Sequence, residues 1–160
     1  PMVTRMYLNR PEKTARAKIR QGDEIWHRMG DVGYIDAQGR LWFCGRKAHR
    51  VVTAQGTLYA VPCEAIFNQH PDVFRTALVG VGKVDAQMPV LVVEPRARRF
   101  PADAAARQAF TDALLTLGAA HEHTRAIQRV VFYHGHFPVD VRHNAKIQRE
   151  RLAAWAEAAL

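Results

Sequence analysis

The alternation of apolar and polar positions in the first third of the chain predicts a β-hairpin. Residues 33–35 and 41–44 are short runs typical of strands, and residues 36–39 between them read Asp-Ala-Gln-Gly. Gly39 stands where a tight turn requires a positive φ. The two runs are therefore expected to pair as neighbouring strands.

Beyond residue 46 the apolar spacing switches between the period of strands and the period of helices. Strands are predicted at residues 51–53, 74–81, 89–94 and 127–133. Helices are predicted to begin with Pro62 as a first-turn proline, and over residues 102–117 and 147–160. A shorter helix is expected over residues 14–19. This order indicates the fold class α/β (α+β), a β-hairpin region followed by a small three-stranded sheet covered by helices.

Two charged residues frame the predicted hairpin. Asp31 comes just before its first strand and Arg46 just after its second, so strand pairing brings them together at the open end. A carboxylate that only accepts hydrogen bonds, beside a forked guanidinium, suits a ligand with vicinal hydroxyls such as a ribose. A purely structural Asp–Arg pair is the alternative that these residues alone leave open.

A single lysine, Lys146, lies where a loop pattern gives way to a helical one. Pro138 and Asn144 disfavour a continuous helix, whereas apolar positions recur at helical spacing from Ile147 onward. A cation at the start of a helix is well placed to reach an anionic group. Most lysines are simply exposed and solvated, and that interpretation stays open for Lys146.

Several motifs resemble a known family. Three segments resemble, in the same order, the late core motifs of the adenylate-forming superfamily. They are residues 29–34 (Met-Gly-Asp-Val-Gly-Tyr), 45–47 (Gly-Arg-Lys) and 144–147 (Asn-Ala-Lys-Ile). That superfamily includes acyl-CoA synthetases, firefly luciferase and the adenylation domains of peptide synthetases. The resemblance implies that Asp31 and Arg46 hold the ribose hydroxyls of ATP, that Mg²⁺ accompanies the nucleotide, and that Lys146 stabilises the transition state of acyl adenylation.

Other blocks narrow the resemblance. Residues 45–50, 56–67 and 141–147 are most similar to the β-lactone synthetases of bacterial long-chain olefin biosynthesis. This implies an AMP-forming synthetase that acts on a 2-alkyl-3-hydroxy fatty acid, with a multi-enzyme olefin-biosynthesis assembly as a candidate partner. Residues 53–57 (Thr-Ala-Gln-Gly-Thr) lack the glycine pair that lets the backbone of acyl-CoA synthetases approach the pantetheine arm. CoA use is therefore not expected, and a long-chain fatty acyl-CoA ligase is the alternative.

The resemblance also implies a division of the chain. Residues 1–46 are expected to be the tail end of a large N-terminal adenylation domain, and residues 47–160 the small, mobile C-terminal lid domain. Ala48 occupies the position at which the family usually has a charged hinge residue. The phosphate-binding loop and the acyl pocket are expected upstream of Pro1, in the missing N-terminal domain. The fragment alone is therefore expected to be inactive.

Charge and composition exclude some alternatives. The net charge is +8, but the basic residues are scattered apart from a cluster at residues 96–99, so nucleic acid is not an expected partner. A non-catalytic basic binding module stays open. The histidines at positions 121, 123, 134 and 136 lack the spacing of a zinc site, and no metal site is predicted. Without a signal peptide or an apolar run of about 18 residues, no membrane span and a cytoplasmic location are expected.

Four further residues are assigned by their apolar settings. Cys44 and Cys63 lack metal-ligand spacing and are expected to be buried free thiols. Trp42 and Trp155 are expected in the core.

Overall fold

A computed structural model describes residues 4–141 and 146–160. The strands in chain order are β1 (Lys18–Gln21), β2 (Glu24–His27), β3 (Asp31–Ile35), β4 (Leu41–Arg46), β5 (Val51–Thr53), β6 (Gly56–Leu58), β7 (Val73–Val81), β8 (Met88–Pro95), β9 (Arg129–Phe132), β10 (Val139–Asp140) and β11 (Lys146–Ile147). The helices are α1 (Pro11–Ala17), α2 (Ala60–Phe67), α3 (Ala104–Ala119) and α4 (Arg149–Ala159). In the described part of the chain, no helix is both long enough and apolar enough to span a bilayer.

The predicted three-stranded sheet is confirmed, with β8 in its centre. Strand β7 pairs antiparallel with β8, with Leu78 opposite Leu91. Strand β9 pairs parallel with β8, with Val131 opposite Val92, and α3 lies in the connection between them. A parallel pair requires such a crossover, because the chain must return to the same end of the sheet.

Both faces of this sheet are buried, so the domain has three layers. Alternate residues of a strand point to opposite faces, and the two sets of buried side chains enter two separate cores. The core on the side of α2 and α3 contains Val51, Cys63, Phe67, Val73, Leu78, Leu91, Val93, Leu114, Ile127 and Phe132. The core on the side of α4 contains Ala77, Val79, Val81, Val90, Val92, Phe137, Leu152 and Ala156.

The N-terminal part has a different character. It consists of α1 and two hairpins, β1–β2 and β3–β4, and all the hydrophobic side chains of the buried core lie at residue 51 or beyond. Its large apolar side chains are instead exposed, among them Leu8, Trp26, Ile35, Leu41 and Trp42. Exposed apolar side chains grouped in this way are typical of interaction surfaces.

The expected burial of the cysteines and tryptophans was therefore only partly correct. Trp42 is exposed and Cys44 only half-buried, because both lie on the β3–β4 hairpin, where no core forms. Cys63 is buried against α3's side of the sheet, and burial raises the pKa of its thiol to about 12, with the neighbouring Glu64 carboxyl adding to the rise.

The helices begin at residues that differ from the predicted ones; α3, for example, begins at Ala104 rather than at residue 102. Helix α2 begins at Ala60, so Pro62 is its third residue; its missing N–H is tolerated because the first N–H groups of a helix have no intrahelical partner. Helix α4 begins at Arg149 rather than at Ile147. The cause is strand pairing: Lys146 and Ile147 pair with Asp140 and Val139 and stay extended. Residues 144 and 145, expected to form a turn, lie outside the described residues.

The first helix is also placed differently. Residues 18 and 19 of the helix expected over 14–19 belong to β1, because Lys18 and Ile19 pair with His27 and Trp26. Helix α1 therefore ends at Ala17. Gly22 and Asp23 form the turn between β1 and β2.

The turn of the β3–β4 hairpin is organised by Asp36. Its carboxylate accepts from the backbone N–H groups of Gln38 and Arg40, from Arg40 Nε at 2.7 Å and from Trp42 Nε1 at 2.7 Å. The indole N–H is the largest of the effects that lower the pKa of Asp36 to about 2. Gly39, with φ +77°, closes the turn. This turn sets the register that brings the two hairpin ends together.

Candidate functional site

The hairpin brings Asp31 and Arg46 together at its open end. They occupy opposed positions in the β3–β4 register, and Asp31 Oδ1 lies 3.1 Å from Arg46 Nη1. The same nitrogen donates to the Met29 carbonyl at 2.8 Å, which ties the guanidinium to the segment before β3. Both side chains remain accessible, with 36% of Asp31 and 44% of Arg46 exposed. The structure therefore shows the predicted placement, and the pair can still contact a ligand.

Backbone contacts hold this end of the hairpin against the domain. Lys47 N donates to the Gly30 carbonyl at 2.8 Å, one residue beyond the Asp31–Arg46 pair. Gly45 has φ +112°, and a Cβ there would lie 3.2 Å from Val61 Cγ2 of α2. Glycine is therefore needed at position 45 both for its conformation and for the close approach of α2.

A single 3₁₀ turn, Lys47–His49, connects the hairpin to β5. Ala48, the residue at the expected hinge position, is in this turn. Burial lowers the pKa of His49, and the neighbouring cations Arg149 and Lys146 lower it further. The connector, the start of α4 and Lys146 are thus close enough for their charges to interact.

Lys146 is exposed on the short β10–β11 ribbon. It pairs with Asp140, and Gln148 N donates to the Pro138 carbonyl at 2.9 Å. Among the described residues, Lys146 forms no hydrogen bond or ion pair with Asp31 or Arg46. The structure thus joins Asp31 with Arg46 and places Lys146 separately, three positions before the first residue of α4.

Three comparisons place the chain among known proteins. No protein-family model matches it. An olefin β-lactone synthetase of Xanthomonas campestris pv. campestris is 55% identical over 162 residues, which cover 98% of this chain and 28% of the relative. An olefin β-lactone synthetase of Stenotrophomonas maltophilia is 52% identical over 165 residues, covering 100% of this chain and 29% of the relative.

A solved structure shares the fold. The amide bond synthetase McbA from Marinactinospora thermotolerans has a TM-score of 0.72 and 26% identity, over 94% of this chain and 28% of that one. The chain belongs to the adenylate-forming enzymes. It corresponds to their C-terminal portion, and it spans only about 28% of the length of the curated relatives that it matches.

A buried ion pair was missed by the sequence analysis of this adenylate-forming chain. Glu64 of α2 accepts from both terminal nitrogens of Arg149, at the start of α4, with Nη2 to Oε2 at 2.9 Å. Leu78 N of β7 donates to Glu64 Oε1 at 2.7 Å. Burial raises the pKa of Glu64, and the charge and hydrogen bonds of Arg149, together with Leu78 N–H, oppose that rise. Arg149 is therefore the group that favours the ionised form of this carboxyl.

A second buried carboxyl, Glu94 in the central strand β8, was also missed. It accepts from Arg75 Nε, His136 Nδ1 and Phe137 N, each between 2.7 and 2.8 Å. A signal for both residues existed: each is a lone acid in an otherwise apolar run, at residues 60–67 and 88–95. Buried acids require partners, although the sequence does not reveal which ones.

The described residues fit part of ATP but not Mg²⁺. The accessible carboxylate–guanidinium pair suits ribose hydroxyls, as expected from the sequence. Among the described residues, no group of three or more His, Cys, Asp or Glu side chains could hold a metal ion. These residues therefore offer no set of ligands for Mg²⁺.

Proposed function

We propose that this chain is the C-terminal portion of an AMP-forming β-lactone synthetase that uses ATP to convert 2-alkyl-3-hydroxy fatty acids to β-lactones. The observation that carries the proposal is the similarity at 55% identity, over 98% of the chain, to an olefin β-lactone synthetase. A place in a multi-enzyme olefin-biosynthesis assembly stays a prediction.

The distribution of buried residues supports the proposed division at residue 46. Residues 51–156 contain both cores, whereas the described residues before 47 expose apolar side chains such as Trp26, Ile35 and Leu41. We infer that residues 1–46 complete a large N-terminal domain, whose remaining chain would cover this apolar surface. The Lys47–His49 turn would then be the hinge between that domain and the lid.

We assign Asp31 and Arg46 to nucleotide binding. The Asp31 carboxylate accepts hydrogen bonds, and two vicinal ribose hydroxyls can donate to it. Arg46, held by Met29 O, orients the carboxylate and supplies further donors. The accessible position of the pair at the hairpin end, beside the connector, leaves it free to contact a nucleotide bound by the larger domain.

Lys146 is assigned to the adenylation step. A substrate carboxylate oxygen attacks the α-phosphorus of ATP, the bond from that phosphorus to the bridging oxygen breaks, and pyrophosphate leaves. Negative charge accumulates around the phosphorus in the transition state, and a positioned cation stabilises it more there than in the ground state. The exposed ammonium of Lys146 on a short ribbon fits this task once the lid closes on the larger domain.

The second step uses a nucleophile that the substrate already carries. The 3-hydroxyl oxygen attacks the acyl carbon, AMP leaves with the bond electrons, and the hydroxyl proton passes to a base or to water. Tethering makes this attack intramolecular, and effective molarities can reach about 10⁵ M or more in well-oriented systems, although ring strain offsets part of the gain. No second substrate is needed.

The β5–β6 hairpin supports a reaction without CoA. Its turn is formed by Ala54 and Gln55, and it is closed by the Thr53 hydroxyl, which accepts from Gln55 N at 3.1 Å and donates to Gly56 O at 2.9 Å. Two residues with side chains therefore stand where the glycine pair of acyl-CoA synthetases would allow the backbone to approach the pantetheine arm.

The test uses the full-length enzyme with ATP, Mg²⁺ and a 2-alkyl-3-hydroxy acid, with and without CoA. We expect AMP, pyrophosphate and β-lactone in equal amounts, at a rate that CoA does not change. Stoichiometric acyl-CoA in the products would instead assign the protein to the acyl-CoA ligases. A full-length protein that releases no AMP with any acid would support the non-catalytic binding module.

A further inference from the structure

We propose that Arg149, held by Glu64, is a positioning residue for Lys146, because their ion pair determines where the β11 strand presents the lysine during adenylation. The inference rests on the role of Lys146 in the proposed function. Arg149 and Glu64 would thus affect catalysis only by setting the position of Lys146.

Glu64 and Arg149 form a buried, bidentate ion pair. Glu64 and Arg149 are 85 positions apart and meet through two nitrogen–oxygen contacts, one of them 2.9 Å. Only 10% of the Glu64 side chain and 13% of the Arg149 side chain are exposed. Arg149 Nη1 also lies 3.4 Å from Leu78 O, and Leu78 N donates to the same carboxylate. The pair therefore joins the start of α4 to both α2 and the sheet.

The ion pair and apolar packing hold different ends of the first turn of α4, because Leu152 is fully buried in the core on the side of α4 whereas Arg149 lies beside a cavity. A cavity of about 160 Å³ lies between the connector and the start of α4, lined in part by Ala48, His49, Gly80 and Arg149. Gln148, the N-cap residue of α4, makes no side-chain cap bond in the described structure. The bidentate contact of Arg149, whose planar fork sets both distance and orientation, therefore holds the beginning of this turn, and the buried Leu152 holds its end.

A short stretch of backbone connects Arg149 to Lys146. Only Ile147 and Gln148 separate them, and the backbone of this short stretch is held at both ends. On one side the Lys146–Asp140 pairing and the Gln148 N to Pro138 O bond attach it to β10. On the other side Arg149 attaches it to Glu64. Releasing the Arg149 end lets the strand that carries Lys146 shift or rotate.

Lys146 is exposed, so packing restrains its side chain less than that of a buried residue. The position of its ammonium group therefore depends on the backbone from which it projects. A displacement of about 1 Å in a reacting group can reduce the rate by about 10²-fold. Glu64 also neutralises the charge of Arg149. Arg149 and Lys146 are both close enough to His49 to lower its pKa.

The test measures single-turnover pyrophosphate release by the full-length enzyme with saturating ATP and 3-hydroxy acid. Arg149→Met removes the fork and keeps much of the stem, Arg149→Lys keeps the charge without the fork, and Glu64→Gln keeps the shape without the charge. Arg151→Met, an exposed arginine two residues along α4, is the matched control. We expect adenylation to slow by about 10- to 100-fold in Arg149→Met and less in Arg149→Lys, with no change in Arg151→Met.

A double variant separates positioning from general stability. If Arg149 acts through Lys146, then Lys146→Ala/Arg149→Met adenylates no more slowly than Lys146→Ala alone. Closure of the lactone from preformed acyl-adenylate should be unaffected in Arg149→Met, and its far-UV circular dichroism and thermal unfolding should match those of the parent enzyme. If Arg149→Met fails to fold, Arg149→Lys and Glu64→Gln are each combined with Lys146→Ala in its place.

The possible failures can be told apart. Additive losses in the double variant, or an Arg149→Met rate equal to that of Arg151→Met while Lys146→Ala is slow, would overturn the positioning role alone. An unchanged rate in Lys146→Ala would instead refute the assignment of Lys146, and the positioning role with it. Normal β-lactone formation in that case would still support the proposed overall reaction.

Discussion

Asp31 and Arg46 face each other across the open end of the β3–β4 hairpin, with 3.1 Å between Oδ1 and Nη1. The arginine is itself held by the Met29 carbonyl, so the carboxylate is oriented before any ligand binds. An acceptor arranged in this way loses little conformational freedom on binding. Its removal should therefore affect nucleotide affinity more than the chemical steps.

The first prediction concerns Asp31→Ala in the full-length enzyme. Hydrogen bonds to charged groups are each worth about 1.5–3 kcal/mol, so loss of even one ribose contact should raise the dissociation constant for ATP by about 10-fold or more. Calorimetric titration of ATP measures this change. Asp23→Ala, in the exposed β1–β2 turn, is the control and should bind ATP like the parent enzyme. An ATP affinity within twofold of the parent in a folded Asp31→Ala enzyme would refute the ribose assignment.

The second prediction concerns Lys146→Ala. Removing one preorganised electrostatic group from an active site typically costs about 10²–10³ in rate. Pyrophosphate release in a single turnover should slow by that factor, whereas the affinity for ATP and the closure of the lactone from supplied acyl-adenylate should change little. Lys83→Ala, in the exposed loop between β7 and β8, is the matched control. Equal losses in both half-reactions would show that Lys146 does not act specifically in adenylation.

Local features of the sequence were sufficient to predict much of the fold. The Asp36–Gly39 turn and the alternation around it predicted the hairpin, and therefore the meeting of Asp31 with Arg46. The runs of Val and Leu predicted two of the strands in the central sheet. These features are determined by neighbours within a few residues, and they hold regardless of the rest of the chain.

Other features could not be predicted in this way. The start of α4 was wrong because the pairing of Lys146 with Asp140 is not visible in a helical period. The prediction that Trp42 is buried was wrong, because an apolar residue alone does not reveal whether a core forms around it. Glu64 and Arg149 are 85 positions apart, and only the packing of α2, β7 and α4 brings them together.

The third prediction concerns Glu94, the buried acid of β8. Burial opposes its ionisation, but hydrogen bonds from His136, Phe137 N and Arg75 outweigh this and hold the pKa of Glu94 below its ordinary value of 4.5. Because the folded-state pKa is lowered, the resulting stability is present above pH 4.5 and is lost as the pH falls through the folded-state value. The pairing of Glu94 thus contributes to acid sensitivity of the domain.

Glu94→Gln should therefore lower the free energy of unfolding near pH 7 by about 2 kcal/mol, since charged hydrogen bonds are replaced by neutral ones. The difference in the free energy of unfolding from the parent chain should shrink at about pH 3, because Glu94 of the parent becomes protonated there and no longer stabilises the fold. Urea unfolding of the 160-residue chain, followed by far-UV circular dichroism at both pH values, measures this. Glu122→Gln, an exposed acid, should match the parent at each pH. A difference that is constant with pH would contradict the assigned pKa.

The fourth prediction concerns Gly118, where α3 crosses the ring of Phe67. A Cβ at this position would lie 2.8 Å from two ring carbons of Phe67, and that side chain is fully buried in the core between α2 and the sheet. Alanine usually stabilises a helix interior by roughly 0.5–1 kcal/mol relative to glycine. Overpacking a dense core costs about 1–3 kcal/mol, because a buried ring has little room to move.

Gly118→Ala should therefore destabilise the chain, by about 1–2 kcal/mol, although helix propensity alone favours it. The reverse exchange at an exposed position of the same helix, Ala113→Gly, should also destabilise, by up to about 1 kcal/mol, because only propensity acts there. Phe67→Leu removes the ring that the added methyl group would meet. Gly118→Ala should therefore lower the free energy of unfolding less in a Phe67→Leu background than in the parent chain. Urea unfolding midpoints of the single and double variants provide the comparison, and a stabilising Gly118→Ala would show that α3 can move away from Phe67 without loss of packing.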